Sequence, residues 1–178
     1  FALNIPVEDR IRQIVVNMER WRWMPEDLGQ DHVFVNIAGY QLRRIRQGRV
    51  EENMRVVVGK PYHQTPVFSD EIEYLEFNPY WNVPYSIAVK EELPKLRADA
   101  AARAARGFEA VVDGRAVALT SIDWNRVSAS NFSVRLRQKP GPDNALGRVK
   151  FMFPNRFNVY LHDTPARSLF GRAQRAFS

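Results

Sequence analysis

Apolar residues recur at steps of three and four along VEDRIRQIVVNMERWRWM: Val7, Ile11, Ile14, Val15, Met18 and Trp21. On a helix these positions share one face, so the spacing predicts an amphipathic helix over 7–24, ended by Pro25. The period then changes. In HVFVNIAGYQLRRIRQGRVEENMRVVVGK, Val33, Val35 and Ile37 alternate with other residues, as do Tyr40 and Leu42 further on. Alternation at period two predicts strands, RQGR (46–49) a hairpin turn, and MRVVVG (54–59) a more fully buried strand, together a three-stranded meander.

KPYHQTPVFSD (60–70) reads as a loop, because its prolines remove backbone donors, and EYLEFNPYWNVP (73–84) as an extended apolar strand. SIAVKEELPKLRADAAARAAR (86–106) has helical propensity, with a break at Pro94 and a stop at Gly107. FEAVVDGRAVAL predicts a hairpin around Asp113-Gly114. FSVRLRQ (132–138) is a strand, KPGPDNALG the most loop-like piece of the chain, and RVKFMFP and RFNVYLH two further strands. The sum is a mainly β chain with helical additions (α+β): a β-rich core, an N-terminal helix and a helical insertion near 86–107.

Composition adds bounds. The 178 residues, 45% of them hydrophobic, fit one ordinary globular unit, and no apolar run is long enough to span a membrane. Lys and Arg outnumber Asp and Glu by 26 to 20, for a net charge of +6 and a pI near 9.9. That balance favours anionic partners: nucleic acid, lipid head groups or cell-wall polymer. The densest basic patch, LRRIRQGR (42–49), alternates arginines with apolar residues as a solvated strand face does. A nucleic-acid-binding domain rests on the pI alone, since no helix-turn-helix, aromatic RNA-binding strand or zinc finger is present; no nucleic-acid partner is expected. Zero cysteines leave no thiolate, and His32, His63 and His162 lack metal-ligand spacing, so neither metal nor cofactor is expected.

Phosphate-loop, zinc-protease, G-x-S-x-G and serine penicillin-binding signatures are all missing. The one positive signal is RFNVYLHDTP. On a strand, Phe157, Val159 and Leu161 point to one face and Asn158, Tyr160 and His162 to the other. A histidine at a strand end serves structure as readily as chemistry; Tyr160 on its face and the DTP turn after it make a pocket rim.

Three stretches carry a specific resemblance: MRVVVGKPYHQTPVFSDEIEYLEFNPYWNVPYSIA, LRQKPGPDNALGRVKFMFPN and VYLHDTPARSLFGRAQRAFS. Together they resemble the YkuD-type catalytic domain of L,D-transpeptidases, in its larger periplasmic YcbB-like branch. Fifteen residues separate His162 from Ser178. A spacer of that size joins the histidine of the family motif to its Ser or Thr, which His-Gly-Cys follows at once. The resemblance covers essentially the whole chain, implying one incomplete catalytic domain over 1–178 with a β-sandwich or barrel core. It makes the stretch at about 86–130 a capping insertion over the site.

By that resemblance the activity is acyl transfer forming 3-3 cross-links in peptidoglycan. A cysteine is acylated by a stem tetrapeptide, D-Ala leaves, and a second stem's amine resolves the thioester. His162 is then the base, with the nucleophile expected beyond Ser178, so that the residues given are expected to be inactive alone. Tyr160, Trp81 in NPYWNVP, and Ser178 are the implied substrate-site residues. The family uses a backbone carbonyl after the histidine as third member, and at Asp163 the sequence leaves carbonyl and carboxylate both open. Implied partners are peptidoglycan stem peptides, carbapenem inhibitors and other cell-wall enzymes. The implied location is the periplasm, with any anchor upstream of residue 1. A non-catalytic, peptidoglycan-binding fragment is the alternative.

Overall fold

The computed structural model describes residues 4–177. Among the described residues the fold is mainly β, ten short strands in antiparallel sheets with helical additions. The chain divides into two compact units: one runs to Asp70 and takes up the chain again from Ser168, the other spans Glu71–Arg167.

The first unit opens with helix α1 (Val7–Arg22). Glu8 and Asp9 lie in its first turn and Arg20 and Arg22 in its last, the charge order that complements the helix dipole. The apolar face predicted for it is present, but none of its residues is buried among the described ones, and Ile14 and Trp21 are 58% and 63% exposed. Trp21 does stack on Phe34, ring centroids 6.0 Å apart. Strands β1 (His32–Asn36), β2 (Gln41–Arg46) and β3 (Arg49–Arg55) form the expected meander. Gln47 and Gly48 join β2 to β3 with φ of 49° and 71°, the pair of positive angles that a type I′ turn requires. MRVVVG departs from its prediction. Strand β3 ends at Arg55 and is exposed throughout; only Val58 is buried, pairing with Ala176 in a parallel bridge.

The second unit holds two sheets. One is ordered β10-β9-β4, from β4 (Tyr74–Phe77), β9 (Val149–Met152) and β10 (Leu161–His162). The other is ordered β5-β8-β6-β7, from β5 (Trp81–Asn82), β6 (Phe108–Val112), β7 (Arg115–Val117) and β8 (Arg135–Gln138). The stretch read as one strand, 73–84, is therefore two, because Asn78 takes φ 50° between β4 and β5 and sends them to different sheets. Asp113 and Gly114 turn β6 into β7 as predicted.

The helical insertion begins with a short turn α2 (Tyr85–Ile87), passes through a π-helical turn (Ala88–Glu92) and continues as α3 (Leu93–Ala105). Pro94 does not break it. It occupies the first turn, where a missing N–H costs no hydrogen bond, and the interruption falls at Asp99, whose carboxylate accepts the Ala102 N–H at 2.8 Å. The core of this unit is Ala88, Leu93, Leu96, Phe108, Ala110, Leu119, Trp124 and Leu136. All but Leu136 come from the 86–130 stretch, so that insertion builds the core. Inside it Glu92 and Arg103 form a buried ion pair, and removing one partner of such a pair costs about 3–5 kcal/mol.

Candidate active site

β9 lies between β4 and β10, and its register sets one lateral row: Glu76 opposite Lys150, and Lys150 opposite His162. Residues directly opposite on antiparallel strands share a face, so a carboxylate, an ammonium and an imidazole stand side by side. Lys150 Nζ lies 3.9 Å from the Glu76 carboxylate and 3.9 Å from the centroid of the Tyr160 ring. Tyr160 in turn lies 5.7 Å from His162, centroid to centroid.

The strand predicted over 156–162 survives only as Leu161–His162. Asn158 takes φ 53°, and the Asn155 side chain bonds Phe153 O, Val159 O and the Phe157 N–H, closing a loop where the alternation should have run. Phe157 is accordingly exposed and does not join the core. Tyr160 lies just before the two-residue strand, and its ring still stands 5.7 Å from that of His162.

His162 Nδ1 lies 2.5 Å from the Asp163 carbonyl oxygen. A carbonyl only accepts, so Nδ1 carries the proton and a neutral ring presents Nε2 as its basic nitrogen. The ring keeps an exposed edge, yet burial by its surroundings lowers its pKa below the ordinary 6.5. The Asp163 carbonyl and carboxylate and the Leu146 carbonyl oppose that shift, and the Lys150 charge adds to it. Burial also raises the pKa of Tyr160, with Glu76 adding to the effect, so its hydroxyl stays protonated and able to donate.

The two groups of Asp163 divide the work that the sequence left open. Its carbonyl meets the imidazole. Its carboxylate accepts the Arg148 N–H at 3.0 Å and the Thr164 N–H; burial alone would raise its pKa, but those two bonds and the charges of Arg167 and Arg148 lower it. Gly147 sits under that carboxylate with φ 63°, and a Cβ there would lie 2.4 Å from Asp163 Oδ2. A cleft of about 270 Å³ runs beside it, lined by Gly147, Arg148, Asp163, Thr164 and Arg167 among others.

The 139–147 loop that delivers Leu146 and Gly147 is irregular but pinned. Buried Asn144 donates to Pro79 O and Lys139 O and accepts the Leu146 N–H, while Gln138 donates to Arg106 O and Asp143 O and accepts the Ala145 N–H. Sequence reasoning missed this pair and also missed Lys150, although a lone lysine inside the apolar run RVKFMF was a legible signal.

Of the remaining sequence-predicted residues, Trp81 lies in the other sheet with its ring edge-on to Phe108 at 6.0 Å, half-buried against the core. Ser178 lies outside the described residues. The segment leading to it is fixed from within the first unit. Buried Arg175 donates to Tyr40 O, Val56 O and Arg172 O, and Arg55 donates to Phe170 O. No cluster of three His, Cys, Asp or Glu side chains able to hold a metal occurs among the described residues, and no described helix is long and apolar enough to cross a membrane.

A model of the YkuD L,D-transpeptidase catalytic domain matches residues 30–178. A Haemophilus influenzae protein named "Putative L,D-transpeptidase" is 36% identical over 168 residues, covering 94% of this chain. The chain spans about a third of that relative's length, 34%.

Proposed function

The chain belongs to the family of YkuD L,D-transpeptidase catalytic domains, and from that premise we propose that the protein forms 3-3 cross-links in peptidoglycan by cysteine acyl transfer with His162 as the base. The observation that carries this reading is the Nδ1–H bond from His162 to the Asp163 carbonyl, which puts the proton of the neutral ring on Nδ1 and makes Nε2 the basic nitrogen. A base must be unprotonated to work, and desolvation by its surroundings lowers the pKa of this imidazole below the ordinary 6.5, which favours the neutral ring.

His162 Nε2 takes the thiol proton, and the thiolate attacks the carbonyl of the third-position diamino acid of a stem tetrapeptide. The C–N bond to the terminal D-Ala breaks, and His162 returns the proton to the leaving amine. The amine of a second stem then attacks the thioester, passes its proton through His162 to sulfur, and frees the enzyme. Asp163, through its carbonyl, holds the ring and stabilises the imidazolium that forms transiently. These 178 residues contain no cysteine, so the thiol lies outside them.

In this reading Tyr160 presents its hydroxyl to a substrate carboxylate or carbonyl, Trp81 supplies an aromatic wall to the donor side, and Ser178 orients the turn that carries the nucleophile. The 86–130 stretch covers bound substrate, and the protein works in the periplasm. Carbapenems, which carry an activated acyl carbon, acylate the same thiol. The alternative reading is a domain that binds stem peptides without turning them over.

The test is mass analysis of a disaccharide-tetrapeptide incubated with the full protein that contains this chain. The expected products are free D-Ala and a 3-3 dimer, with His162→Ala slowing their release by about 10²–10⁴-fold. Peptide binding without D-Ala release supports the second reading; unaffected turnover in His162→Ala contradicts the first.

A further inference from the structure

We propose that Lys150 is the positioning residue of this site: clamped between the Glu76 carboxylate and the Tyr160 ring, its ammonium fixes Tyr160 against His162 and keeps a positive charge beside the imidazole. This inference rests on His162 being the base.

Three independent features of the geometry place it there. The register of β9 puts Lys150 directly between Glu76 and His162 in one lateral row. Its Nζ lies 3.9 Å from the Tyr160 centroid, within the range where a cation is attracted to the face of an aromatic ring. Its side chain is only 14% exposed, whereas a lysine free to leave would extend into water. Glu76, 3.9 Å away and 42% exposed, offsets part of the charge without taking Lys150 out of reach of the ring.

Two consequences follow for the reaction. Tyr160 loses freedom to rotate, because its ring carries the ammonium and lies 5.7 Å from His162 at a tilt of 60°, so its hydroxyl is aimed before substrate arrives. The imidazole also has a cation for a neighbour, and a nearby positive charge disfavours a second one. The groups facing His162 are the Asp163 carbonyl and carboxylate and the Leu146 carbonyl, which favour the charged ring, against Lys150 and burial, which favour the neutral one. Lys150 thus biases His162 toward the state a base needs.

The test is an NMR titration of the imidazole of His162 in this chain and in Lys150→Gln and Lys150→Arg. The expected result is an upward shift of the titration midpoint in Lys150→Gln by roughly 0.2–0.7 pH unit, the size of a partly exposed charge coupling. Lys150→Arg is expected to restore the parent midpoint. An unmoved midpoint in a folded Lys150→Gln overturns the proposal, as does a shift that Lys150→Arg fails to reverse. A second measurement needs no substitution: the Hε methylene protons of Lys150 should be shifted upfield by the Tyr160 ring current, and random-coil positions overturn the proposal. Both readouts are independent of turnover. Failure of His162 as base would appear instead as unimpaired catalysis by His162→Ala.

Discussion

Where the imidazole points is settled by a carbonyl at Asp163, and that carbonyl is held by a carboxylate pressed onto Gly147. Gly147→Ala adds a Cβ 2.4 Å from Asp163 Oδ2 at a φ of 63°, so the variant must move one or the other. Backbone strain of this kind costs about 1–3 kcal/mol. The expected outcome is a lowered melting temperature together with a displaced His162 resonance. Burial lowers the His162 pKa, so the folded state favours the neutral ring. Its contribution to stability is intact above the ordinary 6.5 and is lost as pH falls through the lowered folded value. The acid limb of kcat/KM should likewise fall below 6.5, and an acid limb above that value would contradict the assignment. The nearness of Tyr160 to His162 was expected from the sequence, although the strand over 156–162 that suggested it survives only as Leu161–His162. Lys150 stood out as a lone lysine in an apolar run, but its neighbours did not, and Gly147 gave no signal, because both placements depend on a register or a close approach between segments apart in the chain.

One irregular loop and one short strand carry the site at the next scale. The 139–147 loop has the composition of a flexible connection, yet Asn144 and Gln138 supply the hydrogen bonds that a strand would otherwise make. Asn144→Ala leaves backbone groups unpaired in a buried place, which costs about 1–3 kcal/mol. At about 2–4 °C of melting temperature per kcal/mol for a chain of this size, the expected loss is roughly 2–12 °C. Hydrogen exchange should quicken first in 139–147; unchanged protection there would show that the loop is held by something else. The meander, both two-residue hairpin turns and the Gly107 helix stop were readable, because each has a local chemical cause. The break at Asp99 and the end of β3 at Arg55 were misplaced for the opposite reason. Pro94 signals a break only inside a helix, and Val56–Val58 looked like strand although only a single bridge was there to pair it.

At the scale of the whole molecule the net charge is +6, so attraction to an anionic polymer acts at a distance and is screened by salt. The chain should co-sediment with isolated peptidoglycan at low ionic strength and be released as salt rises. Salt-independent retention would place the binding in short-range contacts instead. The mainly β class with helical additions was legible from the pattern alone. The division into two compact units was not, because nothing in the composition changes at Asp70 or Ser168. The apolar face of α1 was legible as a stripe, but its exposure was not, since periodicity reports which residues share a face and not whether anything packs on it.

The most direct measurement is the tautomer of His162, read from its two ¹⁵N shifts in this chain above neutral pH. The expected result is a ring protonated at Nδ1 with Nε2 bare, the nitrogen that would take a thiol proton. A ring protonated at Nε2, or one still charged at pH 7, would contradict the assignment of His162 as the base.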